Sequence, residues 1–329
     1  MKDKKKICVV FTHHKLGDLI WQIPYIEAIS NHFNQKINLV VREKTQAKEI
    51  LKDCKFINDI HYNNFRKKIF YFYEIFKLWK YYKSQNFSHI FFLDKVNRGP
   101  IAAKLANIPV RIGFGFKNQK RWLTDKNLNI EHVNKNQSEQ SRLLLETNNI
   151  KINNLIPNIN VNNNRLIDIN PDITKYKGSK ICMAVDSFEL YKMWYEEYFA
   201  ELANRIHQEK FCDFFYLISA PHNNHIVEKI IQLSKRNIFI NCSNLNLMGI
   251  IKVIKDSKFM IGNNTGPVSL ASALNVKSYA LIANTPVSEL KYSRIIPILP
   301  DDYVNDFLKN REEMSKLSVD KVYDFIFKK

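Results

Sequence analysis

The chain has 329 residues, 45% of them hydrophobic, and carries 50 Lys and Arg against 32 Asp and Glu, a net charge of +18. That length and apolar content suit two globular domains and exclude a disordered chain. No run of about 18 apolar residues is present, which excludes a spanning helix. The start Met1-Lys2-Asp3-Lys4-Lys5-Lys6 leads straight into a strand with no signal-peptide core, so a cytosolic protein is expected, one still able to rest on a membrane face. Cys8, Cys54, Cys182, Cys212 and Cys242 are odd in number, widely spaced and mostly inside apolar runs, which argues against a disulfide framework or a zinc site. Abundant Lys, Asn and Ile suggest an AT-rich coding bias, yet bias alone does not choose one half. Residues 1–160 hold 28 Lys and Arg against 13 Asp and Glu, net +15, whereas 161–329 hold 22 against 19, net +3. A one-sided positive field of this kind attracts nucleic acid, anionic headgroups or a phosphorylated substrate.

In chain order, the first half alternates strand-like runs at 7–12, 37–41, 56–61, 89–93 and 110–114 with helical segments that include 16–33 and 67–83. Strands alternating with helices predict a parallel sheet covered on both faces. Residues 148–180 are rich in turn formers, with Asn153, Asn154, Pro157, Asn162, Asn163, Asn164, Pro171 and Gly178, and are the expected linker. The second half repeats the alternation: strand 181–185, helix 195–208, strand 214–218, helix 223–235, strand 238–240, helix 247–256, strand 259–261, helix 268–274, strand 278–282 and a last helix over 318–327. The fold class expected is α/β, two doubly wound Rossmann-like domains facing a central cleft, with ligands at the carboxyl ends of the strands.

Two strand-to-helix turns carry candidate chemistry. In the second half, Phe259-Met260-Ile261 runs into Gly262-Asn263-Asn264-Thr265-Gly266-Pro267-Val268-Ser269. Gly262 and Gly266 permit unusual backbone geometry, Thr265 is placed to cap a helix, and Pro267 suits its first turn. Free N–H groups at such a helix start suit a phosphate or diphosphate, although an ordinary capped helix would read the same way. In the first half, strand 7–12 enters His13-His14-Lys15-Leu16-Gly17-Asp18. Gly17 permits a tight turn, His13, His14 and Lys15 offer donors to an anionic ligand, and Asp18 is either an N-cap or a carboxylate aimed at substrate.

Residues 66–83 mix bases with aromatics. Helical spacing puts Ile69, Phe72, Tyr73, Phe76 and Trp79 on one stripe, first read as the cover of the sheet. Phe70, Tyr71, Ile75, Leu78 and Tyr82 remain on other faces, so the second reading is a helix partly resting in a membrane interface.

Taken together, these pieces resemble glycosyltransferase family 9, the lipopolysaccharide heptosyltransferases. The Gly-Asp pair and helix start of that family are matched by Gly17-Asp18-Leu19-Ile20-Trp21-Gln22-Ile23-Pro24, and its Lys-x-Trp by Lys192-Met193-Trp194. Its Asp-Thr-Gly-x-x-His-x-Ala-x-Ala signature is matched in part by Asn264-Thr265-Gly266-Pro267-Val268-Ser269-Leu270-Ala271-Ser272-Ala273, with echoes at Arg111-Ile112-Gly113-Phe114 and Leu317-Ser318-Val319-Asp320. The resemblance implies a GT-B fold: an acceptor domain over 1–160, a nucleotide-sugar domain over 161–310, and a closing helix in 311–329 that packs back on the first domain. It also implies inverting, metal-free transfer of heptose or a related sugar, with no cofactor, from ADP-heptose or another nucleotide sugar to a lipopolysaccharide core or other anionic glycan acceptor. By the same resemblance Asp18 is the base, and His14, Lys15 and Gly17 contact the acceptor. Lys192, Asn264, Thr265, Gly266, Pro267 and Ser269 hold the donor, and peripheral contact with anionic inner-membrane lipids is expected.

Two departures stand inside the strongest signature. Asn264 replaces the family's Asp and Ser269 its His, and the turn Ser219-Ala220-Pro221-His222-Asn223-Asn224 carries no carboxylate to hold a ribose. They keep two alternatives in view, a different donor and a weakened GT-B scaffold. A nucleic-acid-binding protein is disfavoured because no recognised basic-aromatic module, zinc pattern or helix-turn-helix signal occurs.

Overall fold

The computed structural model describes residues 5–64, 70–124, 126–167, 169, 173 and 175–328. The chain divides into two units, Met1–Asn160 and Val161–Lys329.

In the first unit the short apolar runs become strands β1 (Ile7–Val10), β2 (Ile37–Val41), β3 (Ile57–Tyr62), β4 (His89–Phe92) and β5 (Val110–Gly113), all parallel, in the order β3-β2-β1-β4-β5. β1 and β2 are buried along their whole length, so neither shows the alternation of a half-exposed strand: β1 is apolar throughout, and β2 is interrupted only by the buried Asn38. Between and after the strands come helices α1 (Leu16–Phe33), α2 (Ala47–Leu51), α3 (Tyr71–Gln85), α4 (Arg98–Leu105) and α5 (Gln137–Thr147). The strand order reverses between β1 and β4, the point at which doubly wound sheets bind ligands outside the strand ends.

The second unit repeats the plan with β6 (Lys180–Ala184), α6 (Glu196–Gln208), β7 (Phe214–Ile218), α7 (Asn224–Ser234), β8 (Phe239–Asn241), α8 (Leu247–Lys255), β9 (Met260–Asn263), α9 (Gly266–Ala273), β10 (Ser278–Leu281) and β11 (Ile295–Ile298), closed by α10 (Val319–Phe327). The parallel order β11-β10-β9-β6-β7-β8 reverses at β6 and β9. There Ala184 sits opposite Gly262, and a Cβ added to Gly262 would come within 2.7 Å of the Ala184 Cβ and nearer still to its carbonyl oxygen. Gly262 is thus required for close strand approach and not for a left-handed backbone. Among the eight glycines only Gly115 and Gly178 take positive φ, so the unusual geometry expected at Gly17, Gly262 and Gly266 is absent.

The closing helix α10 packs within the second unit, and one expectation about a helix changes. Val319, Val322 and Tyr323 join the core cluster of Phe199, Leu202 and Ile206, Arg205 lies 3.9 Å over the Tyr323 ring, and Trp194 Nε1 donates to Leu317 O at 2.8 Å. In α3 most of the aromatic stripe read as the sheet cover faces outward: Phe72 is 82%, Phe76 55% and Tyr73 50% exposed, while Trp79 packs partly buried against the core and Ile69 falls outside the described residues. The face that packs is Glu74, Ile75, Leu78 and Tyr82, against Cys8, Val10, Phe92 and Ala102, with the Glu74 carboxylate paired to Arg98 of α4. An ion pair between the two helices lets a charged residue occupy the inner face, which decides the rotation of the helix.

Candidate active site

The candidate site of the first unit lies at the β1–β4 reversal. Asp94, 2% exposed just past β4, accepts from Thr12 N and from Val96 N, each at 2.9 Å, and thereby joins the loops that leave β1 and β4. Burial pushes the Asp94 carboxyl up from its usual range, against the lowering effect of those hydrogen bonds. Gln119 closes the same corner by donating to Asp94 O at 2.9 Å.

From this anchored corner the chain passes His13, His14 and Lys15, all exposed, into α1. Lys15 occupies the N-cap with extended backbone and no side-chain cap. Asp18 is the third residue of the helix, so the capping role open to it from sequence is not taken. Its Oδ2 lies 3.3 Å from His13 Nδ1, with the two side chains 37% and 47% exposed. The His13 ring in turn stacks on Phe11 at 5.2 Å. Gly17 is a helical residue of the first turn and makes no tight turn of its own. The arrangement presents a solvent-accessible carboxylate at the positive end of a helix dipole, oriented by an imidazole, which is the equipment of a general base.

The candidate site of the second unit lies at the β6–β9 reversal. A short 3-10 turn, Leu190–Lys192, puts Lys192 in the loop after β6 with its Nζ 3.6 Å from Glu189 Oε2. This loop is tied down from several sides. Asn263, fully buried, accepts from Trp194 N at 2.9 Å and donates to Val185 O at 3.0 Å. Asn284 donates to Tyr191 O and to Asn310 O, and Arg311 Nε donates to Met193 O at 3.1 Å. The loop that carries Lys192 is thereby joined, through Trp194 and Asn263, to the end of β9 from which the β9–α9 turn leaves.

Thr265 is the N-cap of α9, as its position suggested, but its hydroxyl does not cap; it donates back to Asn263 O at 3.1 Å. Pro267 follows Gly266 in the first turn. Ser269 is 6% exposed and its hydroxyl donates to Thr265 O at 3.5 Å. Among the described residues, no side chain caps α9 and no acidic or basic residue lies in its first or last turn. Asn264, Thr265, Gly266 and Pro267 are all partly exposed, so the turn and the helix start are open to a ligand. An uncapped helix start with no charge of its own is suited to an anion.

The turn after β7 lacks a carboxylate in sequence, yet one reaches it. Asp186, from the end of β6, accepts from Ala220 N at 2.7 Å and from Asn223 Nδ2 at 3.2 Å. Asp94, Asp186, Asn263 and Asn284 were not singled out from the sequence. The signal that could have found them is shared: each is a polar residue at, or within three positions of, the carboxyl end of a strand.

A model of glycosyltransferase family 9 (heptosyltransferase) matches residues 75–319. Among solved structures, the family 9 glycosyl transferase from Veillonella parvula superposes with a TM-score of 0.82 at 16% identity, covering 97% of this chain and 95% of that one. The E. coli ADP-heptose lipopolysaccharide heptosyltransferase II gives 0.78 at 15% identity, covering 98% and 97%. The E. coli heptosyltransferase WaaC with ADP gives 0.75 at 15%, covering 98% and 99%. At such identities the likeness establishes the fold, two parallel-sheet Rossmann-like domains of GT-B type. No curated protein matches the chain in sequence.

Proposed function

Because the chain belongs to glycosyltransferase family 9, we propose that it moves heptose or a related sugar from a nucleotide-sugar donor to a lipopolysaccharide core or other cell-surface glycan, with inversion at the anomeric centre. The observation that carries this reading is the uncapped, uncharged start of α9 beside the fixed Lys192 loop. There the donor diphosphate would meet the amides of Gly266 and Val268 and the Lys192 ammonium. Those groups neutralise the charge that develops as the nucleotide leaves, so the mechanism calls on no metal ion. Asn264, Thr265, Pro267 and Ser269 shape the same turn.

On the acceptor side, Asp18 takes the proton of the attacking hydroxyl, and His13 at 3.3 Å orients its carboxylate. His14, Lys15 and the Gly17 backbone line the approach of an anionic acceptor. The first unit would thus receive the acceptor, the second the donor. WaaC has been solved with ADP and with ADP-2-deoxy-2-fluoro heptose, which supports an adenine nucleotide as the first donor to try. Asn264 and Ser269 make UDP, GDP and CMP sugars the next. A glycolipid acceptor puts the reaction on the cytoplasmic face of the inner membrane, with peripheral contact to its anionic lipids.

Thermal shift against ADP, UDP, GDP, CMP and their sugars tests the reading. One nucleotide diphosphate should raise Tm by a few degrees at saturation, and the matching sugar should be consumed in a transfer assay. No response to any nucleotide would point to a silent GT-B scaffold, and tight RNA binding in its place would replace the transferase altogether.

A further inference from the structure

The exposed side of α3 is the least expected surface of the first unit. Phe72, Tyr73 and Phe76 stand out of the first two turns, and Phe76 packs its ring 5.4 Å from Trp79. Trp79 Nε1 donates to Leu105 O at 3.3 Å, and the Leu105 side chain, 58% exposed at the end of α4, continues the apolar patch. Exposed aromatic area of this extent is unusual on a protein surface and marks contact with something apolar.

The charges on the same side all have one sign. Lys77, Lys80 and Lys83 are exposed along α3, and Lys104 is exposed beside Leu105. Glu74, the single acid of α3, is 2% exposed and turned inward to Arg98. Lys77 and Lys83 lie over the rings of Tyr73 and Trp79 at 4.9 and 5.3 Å, so their ammonium groups border the aromatic patch and are not dispersed from it. The surrounding unit carries net +15.

We propose that this face of α3, with the end of α4, docks on an anionic lipid bilayer, the aromatic rings of Phe72, Tyr73 and Phe76 entering the interface and the lysines meeting headgroup phosphates. A bilayer surface offers apolar depth and negative charge in one plane, which is what the patch displays. Among the described residues no helix is long and apolar enough to cross a membrane, so α3 lies along the interface. Nucleic acid would also answer the charge, but a convex helix face gives bases no groove in which to stack. The inference concerns the surface alone and holds whichever donor the second unit takes.

Co-sedimentation of the full chain with vesicles of phosphatidylcholine, alone or mixed with phosphatidylglycerol, provides the test. Binding should be at least about tenfold stronger to the anionic vesicles and should fall as salt is raised. The double substitution Phe72→Ser with Phe76→Ser removes two exposed rings and should abolish most of that binding while leaving Tm and the nucleotide-induced shift intact. Lys80→Gln with Lys83→Gln should weaken binding and flatten its salt dependence. Equal binding to both vesicle types, undiminished binding of the Phe72/Phe76 variant, or capture of single-stranded RNA in place of vesicles would each overturn the proposal. None of those results would touch the donor assignment, which is read separately by the nucleotide shift.

Discussion

The starts of α1 and α9 use one device in two ways. Each follows a central parallel strand at the point where its sheet reverses, and each begins at a residue whose side chain does not cap. α1 brings its own anion, Asp18, into the first turn, whereas α9 brings none. A helix start that holds its own carboxylate already has its dipole answered and can present that group to an incoming hydroxyl; one without a charge is left to compensate someone else's. The surroundings differ in the same sense. His13, His14 and Lys15 are exposed around Asp18, while the Lys192 loop beside α9 is tied by Asn263, Asn284 and Arg311. A diphosphate needs fixed donors set before it arrives, and a base needs only access and orientation.

The largest expected effect breaks the first member of this pair. Asp18→Asn should lower kcat by about 10²–10⁴-fold with the nucleotide-induced shift in Tm unchanged, since it removes the proton acceptor and keeps the shape. Activity close to the original would take Asp18 out of the base role. Next, Lys192→Ala should weaken donor binding by roughly 10- to 100-fold, the worth of one charge-assisted contact, with a smaller change in acceptor KM. The smallest effect is the sharpest on the comparison. Thr265→Asp gives α9 the anion it lacks, which should add roughly 0.5–1 kcal/mol to the stability of the second unit while weakening nucleotide diphosphate binding several-fold. A variant that gains stability and still binds the donor as before would show that the diphosphate lies elsewhere.

Much of the fold was readable because the signals were local. The span of α1 was placed at both ends, and the buried strands β1, β2 and β6 announced themselves as short, mostly apolar runs, with Asn38 inside β2 and Lys180 at the start of β6 the polar exceptions. Two of the elements that escaped contain proline. Gly99-Pro100 looks like a helix breaker, yet it lies in the first turn of α4, where a missing N–H costs nothing. Pro297 argues against a strand, and β11 tolerates it as the last strand of its sheet. The rotation of α3 was unreadable for another reason. Its inward side holds Glu74, and the partner that makes this acceptable, Arg98, is 24 residues away. Of the candidate site, Asp18, Lys192 and the 264–269 turn could be proposed from sequence because they lie in contiguous motifs. Asn263 and Asn284 were not, because their work is to hold a loop drawn from elsewhere in the sequence.

The neighbours of Gly262 across the seam leave no room for even a methyl group, so any replacement must spread β6 from β9 and displace Trp194, Asn263 and the Lys192 loop with it. In a saturation-mutagenesis map of activity, position 262 would score with the residues that touch substrate, although the glycine has no side chain with which to touch anything. Intolerance to change and participation in chemistry are separate properties here, and only a measurement that scores folding beside turnover would tell them apart.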